Sequence, residues 1–335
     1  MSATRSSMLH AAIQSVAEVC PVARQVQQTL GRIKQITKDD FSPVTVADFA
    51  VQALIAVRLR DALGALAMIG EESAADLQAH GRGEVRQAVT AAVRTVRPDL
   101  NEDDVLAAID LGNHDGSERA YWTLDPIDGT KGFLRGGQYA VSLAYIEDGE
   151  VVIGVLGCPN LGSDFARPFD QPDALGTLFF AALGEGAYAV SPAQANPTAG
   201  TRLSVARDRR LRDMRVCQSV EAAHSRLDET QRIAAHLKAT GRPAQLDSQC
   251  KYAVVARNQA DAYIRLPTRA DYVEKIWDHA AGALIASEAG ARVSDIHGLD
   301  LDFTQGATLK RNRGVVCAVP EFHGPILTAI ADLYD

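Results

Sequence analysis

A strand-like apolar run, Tyr121-Trp122-Thr123-Leu124, ends in two aspartates three residues apart, Asp125-Pro126-Ile127-Asp128, followed at once by Gly129-Thr130. This segment constrains the chain more than any other. Pro126 fixes one backbone dihedral, which helps aim both carboxylates at one point. Gly129 lets the backbone come close to a ligand, and the Thr130 hydroxyl can hold a water. Two carboxylates so placed suit a hard divalent cation such as Mg²⁺, which takes oxygen ligands and keeps waters. A helix starting here would turn its free N–H groups toward an anion such as phosphate. Taken alone, the segment also fits an acidic turn after a strand.

Three other acidic positions join it. Gly70-Glu71-Glu72-Ser73 follows the short apolar run Ala67-Met68-Ile69, where a strand would end. Asp48 lies just inside a segment with helical apolar spacing, Val46, Phe49, Leu54 and Val57. Trp277-Asp278-His279-Ala280-Ala281-Gly282 puts an acid at the start of an Ala-rich helix. Singly, each has a plainer explanation: a first-turn acid favoured by the helix dipole for Asp48, a solvated loop end for Glu71 and Glu72, an N-cap for Asp278.

Taken together and in this order, the segments resemble the magnesium-dependent, lithium-sensitive phosphatases of the inositol monophosphatase superfamily, from about Lys38 to the C-terminus. Chance agreement of Gly-Glu-Glu-Ser, Asp-Pro-Ile-Asp-Gly-Thr and Trp-Asp-x-Ala-Gly in sequence is negligible. Within that superfamily the chain is most similar to 3'(2'),5'-bisphosphate nucleotidases. The likeness lies in Lys131-Gly-Phe-Leu-Arg-Gly136, Gln138-Tyr-Ala-Val-Ser-Leu143, Val220-Glu-Ala-Ala-His224-Ser and Leu246-Asp-Ser248-Gln-Cys-Lys251-Tyr, and in Arg265-Leu-Pro and Glu274-Lys-Ile-Trp-Asp-His279. Inositol monophosphatases usually carry Thr-Asn-Phe where this chain has Lys131-Gly132-Phe133. The Ala222-Ala223 pair departs from the lysine and glycine often found before the family's histidine.

The resemblance implies an α+β fold, a layered αβαβα sandwich of the inositol monophosphatase and fructose-1,6-bisphosphatase type. It implies Glu71, Asp125, the Ile127 carbonyl, Asp128 and Asp278 as metal ligands, with Asp125 bridging two Mg²⁺ ions. Asp48 with Thr130 would orient and deprotonate the nucleophilic water, Asp48 also serving a third, weaker metal. Gly129 and Thr130 N–H groups would hold the scissile phosphate, without a covalent phosphoenzyme. His224, Ser248, Lys251 and Arg265 would surround the nucleotide, with Asp278 close by; Lys251 and Arg265 suit a remaining 5'-phosphate, as point charge and fork. Lys131, beside Thr130, is a further candidate for phosphate.

The expected activity is removal of the 3'-phosphate from 3'-phosphoadenosine 5'-phosphate, with the 5'-phosphosulfate as a second substrate. The alternatives are an inositol monophosphatase or inositol polyphosphate 1-phosphatase and, from another class, a non-catalytic sensor of the bisphosphate nucleotide. A haloacid-dehalogenase phosphatase is disfavoured, because its two aspartates are separated by one residue and here Pro126 and Ile127 both intervene. Phosphoryl transfer asks a protein mainly to position an in-line water and neutralise charge, which two metals about 3.5–4 Å apart do well.

Composition sets outer bounds. At 335 residues the chain can bury a large core, expected in two closely joined halves, residues 1–190 and 191–335. A net charge of −8 argues against nucleic-acid polymers as partners, while a small phosphorylated nucleotide remains compatible because bound cations dominate local charge. No apolar run approaches the ~20 residues that span a bilayer, so no membrane partner is expected. Five scattered cysteines show neither metal spacing nor a disulfide framework, pointing to buried thiols in a reducing, cytoplasmic setting. A monomer or homodimer is expected.

The coarse element pattern is a helix with stripe Leu9 to Leu30 kinked at Pro21, a charged mobile loop from Gly31 to Pro43, and a helix from Val46 to about Leu63. Two helices are expected between Gly81 and Gly112. Ala140–Glu147 and Val151–Cys158 read as a hairpin turning at Asp148-Gly149, and Thr177–Leu183 with Ala187–Val190 as another. Ser191–Gly200 is the best linker. Beyond it, apolar runs alternate with helical ones, predicting an α/β second half.

Overall fold

The structure, a computed structural model, describes residues 4–36, 43–79, 81–220, 226–267, 269 and 271–334. Helices α1 (Arg5–Ile36) and α2 (Pro43–Leu63) open the chain and pack side by side. Pro21 lies inside α1 without ending it. The helix also continues through Gly31, where a loop was expected. One helical Gly costs about 1 kcal/mol, and the good helix formers around it, Arg32, Lys34 and Gln35, offset this. Residues 37–42 of the expected loop lie outside the described residues.

Strand β1 (Met68–Gly70) leads through three helices, α3 (Ala74–Gln78), α4 (Gly83–Arg94) and α5 (Glu102–Asp110), to strand β2 (Ala120–Asp128). Helix α5 is started by a reciprocal capping box between Asn101 and Asp104. Helix α6 (Thr130–Leu134) follows, then β3 (Ala140–Glu147), β4 (Glu150–Cys158), β5 (Thr177–Ala182), β6 (Gly186–Val190) and β7 (Thr201–Arg202). These seven strands form one sheet in sequence order, parallel only between β1 and β2. The β3–β4 turn has positive φ at both central residues, Asp148 and Gly149, as a two-residue hairpin demands.

The second sheet is mixed. It comprises β8 (Val216–Gln218), β9 (Ala244–Gln245), β10 (Ala262–Arg265), β11 (Arg292–Ser294) and β12 (Val315–Ala318), in the order β11-β12-β10-β8-β9. Strands β8, β9 and β10 run parallel while β12 opposes both neighbours. Helices α7 (Arg226–His236), α8 (Cys250–Ala256), α9 (Ala280–Glu288) and α10 (Pro320–Tyr334) complete the chain.

Five layers result. α1 and α2 cover one face of the seven-stranded sheet; α9 covers its other face and, with α8, also meets the second sheet; α7 and α10 pack together, against β8 and β12 respectively. Strand β5 shows how the sequence builds this. Leu178, Phe180 and Ala182 enter the core shared with α1 and α2, whereas Phe179 and Ala181 enter the core shared with α8, α9 and the second sheet. A strand buried on both faces must be apolar throughout rather than alternating. Truncating Phe179 or Phe180, both almost fully buried, costs roughly 3–5 kcal/mol.

Candidate active site

The acidic residues converge because β2 is interrupted. In a regular strand, residues three apart face opposite sides of the sheet. Between Asp125, paired with Ser142, and Asp128, paired with Ala140, the register shifts. The side chain of Ile127 therefore enters the same core as that of Leu124, three residues earlier. The bulge flips the parity and leaves Asp125 and Asp128 on one side, toward the turn that precedes α9. That turn, a single 3-10 turn over Ile276–Asp278, packs on β2 and β3 and brings Asp278 to them. Oxygens of Asp125, Asp128 and Asp278 lie within 4.8 Å of one another.

Parallel pairing of β1 with β2 sets Glu71 beside them, its N–H donating to the Leu124 carbonyl (3.1 Å) and its carboxyl reaching Asp125. Glu71 is exposed as a residue, but its carboxyl points into the cleft. Asp48, buried in α2, faces Glu71 and Glu72. One turn later, on the same helix face, the fully buried Gln52 amide clamps their loop. It accepts from Glu72 N–H (3.1 Å) and donates to the carbonyls of Glu72 (2.6 Å) and Ile109 (3.0 Å).

So many carboxylates together are costly unless protonated or neutralised. Burial, then Glu72 and Glu71, pushes Asp48 well above the usual carboxylate range. Burial, then Glu71, Asp128 and Asp278, does the same to Asp125. Asp128 is pushed up to about 7 by burial and Asp278, against the opposing pull of the Gln249 N–H and Lys251. Asp125 Oδ1 is buried with no hydrogen-bond partner among the described residues. An all-oxygen donor set of excess negative charge with an orphaned ligand atom fits a divalent metal ion.

Glu274, Asp278 and His279 form a second group with ligand atoms within 4.8 Å. Here the donors are already used: His279 joins Tyr252 Oη (2.9 Å) at Nδ1 and Glu274 (3.1 Å) at Nε2, and Glu274 accepts from Arg265. It is a hydrogen-bonded relay rather than a cation cage.

The cluster opens into a cavity of about 180 Å³ lined by Asp128, Gly129, Lys131, Ser248, Lys251, Arg265 and Asp278, among others. Gly129 caps α6 with φ +89°, and a Cβ there would sit 2.7 Å from Ser248 Cβ, so only glycine fits. Ser248 itself adopts φ +67°; its hydroxyl accepts from Cys250 N–H (3.1 Å) at the start of α8. Lys251 is buried, its ammonium 5.1 Å from the Tyr263 ring centroid, and desolvation lowers its pKa. Arg265 bridges Glu274 (2.8 Å), Tyr272 (3.0 Å) and Asp278 (3.4 Å). Thr130 and Lys131 are exposed at the first turn of α6. His224 lies outside the described residues.

The sequence assigns no role to three residues of the site, although Gln249 and Glu274 fall inside segments that carry the family likeness. Gln249 donates its N–H to Asp128 and its amide to the Trp277 carbonyl (2.8 Å), and accepts from Gly282 N–H (3.1 Å). Gln52 is marked only by its four-residue offset from Asp48, and Glu274 only by its place ahead of Trp277-Asp278. A separate cavity of about 1000 Å³, between the start of α1, the end of α2 and residues 192–196, is lined by none of these residues.

Comparison with known proteins agrees with this geometry. The sequence profile of the inositol monophosphatase family matches residues 4–333. A 3'(2'),5'-bisphosphate nucleotidase of Schizosaccharomyces pombe is 40% identical over 307 residues, covering 88% of this chain and 86% of that protein. One from Oryza sativa is 36% identical, covering 97% and 93%. Among solved structures, a bacterial member of the inositol monophosphatase family from Bacteroides thetaiotaomicron (CysQ) superposes with a TM-score of 0.61 at 21% identity, covering 94% and 98%. The inositol monophosphatase of Anabaena gives 0.62 at 18% identity, covering 97% and 95%. These two likenesses speak for the five-layered fold, and the sequence matches speak for more. Among the described residues no helix is long and apolar enough to cross a membrane, and all five cysteines are free and buried. The chain belongs to the metal-dependent inositol monophosphatase family and, within it, to the 3'(2'),5'-bisphosphate nucleotidases.

Proposed function

We propose that this chain is a Mg²⁺-dependent phosphatase that removes the 3'-phosphate of 3'-phosphoadenosine 5'-phosphate, giving AMP and phosphate, and that also accepts the 5'-phosphosulfate. The observation that carries the reading is the sharing of Asp128 and Asp278 between the carboxylate cluster and the cavity that Lys251 and Arg265 line. One side of the site suits a cation and the other a second anionic group of the same substrate.

Glu71, Asp125, Asp128, Asp278 and the Ile127 carbonyl would hold the ions. When bound, Mg²⁺ would neutralise phosphoryl charge and make water acidic enough to attack at neutral pH. Asp48, with the Thr130 hydroxyl, orients that water and takes its proton. The water oxygen bonds to phosphorus as the bond from phosphorus to the 3'-oxygen breaks, and the leaving oxygen regains a proton. Gly129 and Thr130 N–H groups hold the phosphate being transferred. Lys251 and Arg265 hold the 5' group, with Ser248 and His224 along the nucleoside. Residues 1–190 thus supply most metal ligands, and residues 191–335 supply specificity and Asp278.

The buried free thiols support a reducing, cytoplasmic setting, and the family likeness supports inhibition by millimolar Li⁺. The test is phosphate release from a substrate panel with and without Mg²⁺. The bisphosphate nucleotide is expected to be preferred and turnover to vanish without metal. Preference for inositol 1-phosphate would overturn the reading.

A further inference from the structure

We infer that Glu274 is a positioning residue that locks Arg265 between the 5' end of the substrate and the carboxylate Asp278; this rests on the function proposed above. Glu274 is 2% exposed, and its carboxylate meets three nitrogens. Arg265 Nε donates to Oε1 (3.0 Å), an Arg265 terminal nitrogen forms an ion pair with Oε2 (2.8 Å), and His279 Nε2 lies 3.1 Å from Oε2. A hydrogen bond at Nε and an ion pair at the terminal nitrogen hold the guanidinium at two points and so fix its plane, not merely its charge. The same terminal nitrogen reaches Tyr272 Oη (3.0 Å) and Asp278 Oδ2 (3.4 Å).

The lock is itself held. His279 is fully buried, and its other nitrogen lies 2.9 Å from Tyr252 Oη, so the ring is fixed between that tyrosine and Glu274. The Glu274 carbonyl accepts from Leu309 N–H (2.9 Å), and Ile276 N–H donates to the Ala307 carbonyl (3.2 Å). Burial opposes the Glu274 charge, yet His279 and Arg265 outweigh it and hold the carboxyl below its usual range. A buried ion pair rarely adds stability over apolar packing, and its best-attested use is specifying one geometry. The geometry specified here is that of Arg265, which lines the cavity together with Asp278.

The test compares kcat and KM for 3'-phosphoadenosine 5'-phosphate and for adenosine 3'-monophosphate, which lacks the 5' group. In Glu274→Gln, the ratio of kcat/KM between the two substrates should fall about tenfold, through a raised KM for the bisphosphate. The double variant Glu274→Gln/Arg265→Gln should be no worse than Arg265→Gln alone, since Glu274 acts through that arginine. A substrate ratio unchanged within about twofold, or additive losses in the double variant, would overturn the inference. Should the single variant fail to fold with Arg265 left unpaired, His279→Gln frees Glu274 while keeping the ion pair. It should move the same ratio about threefold, and an unmoved ratio sinks the idea equally. A wild-type protein that does not prefer the bisphosphate would instead defeat the functional reading beneath it.

Discussion

The two walls of the cleft are built on opposite electrostatic plans. On the wall formed by α2, β1 and β2, carboxylates crowd and repel one another: Asp48 and Asp125 are pushed far up, and Asp125 Oδ1 has no hydrogen-bond partner among the described residues. On the wall formed by α8, β10 and the Ile276–Asp278 turn, Tyr252, His279, Glu274, Arg265 and Asp278 satisfy one another in an unbroken series. The first wall is complete only with cations. The second is organised in the protein alone. A cleft of this kind separates two tasks: charge is supplied from solution, whereas orientation is inherited from the fold.

The harshest way to break the contrast is Asp125→Ala. It should lower kcat by on the order of 10³-fold or more, as expected when transition-state charge loses its counter-charge. The metal-free protein should melt no lower, because a repelled carboxylate has gone. A large drop in metal-free stability would mean the acid wall is structural. Next is Lys251→Met, which should raise KM for the bisphosphate about 10–100-fold and barely change that for adenosine 3'-monophosphate. Equal effects on both substrates would remove Lys251 from the second wall.

Gln52→Leu sharpens the comparison, since the Gln52 amide holds the loop that carries Glu71 and Glu72 on the acid wall. Its loss should weaken Mg²⁺ activation about 10–100-fold, the usual cost of losing a group that orients a ligand, with KM for nucleotide unchanged. An unshifted Mg²⁺ titration would count against it.

The smallest expected effect is on stability against pH. Asp128 and Glu72 stand at about 7 without metal, above ordinary carboxyl values of about 4. A carboxyl raised on folding holds its proton better in the folded state. That contribution is complete below about pH 4 and disappears as pH rises through about 7. The metal-free melting temperature should therefore fall by several degrees from about pH 5 to about pH 8, and millimolar Mg²⁺ should flatten the curve. A flat metal-free curve would show that the acids do not share one site.

Much of the acid wall was legible in sequence, because its chemistry demands acids in fixed local runs. Asp125 with Asp128, Glu71 after a short strand and Asp278 before an Ala-rich helix all fell where their runs placed them. The supporting groups were not. Gln52, Gln249 and Glu274 act through hydrogen bonds to partners 20, 121 and nine positions away, and no local pattern encodes such pairings. The same limit applies to the fold. Hairpins with turn chemistry, as at Asp148-Gly149, announced themselves. Helix α8 did not, because every residue from Cys250 to Ala256 is buried, leaving no polar face to betray a helical period. Strands β7 and β9 are two residues long and exist only through their neighbours.

The tight abutment of Gly129 on Ser248 has one more consequence. The Gly129 turn belongs to the early part of the chain and its Ser248 backstop to the late part, and they meet with no room for even a methyl group. Turnover can begin only after both have docked. During refolding, the return of activity should thus lag the return of helical signal, and it would serve as a clock for the last step of assembly.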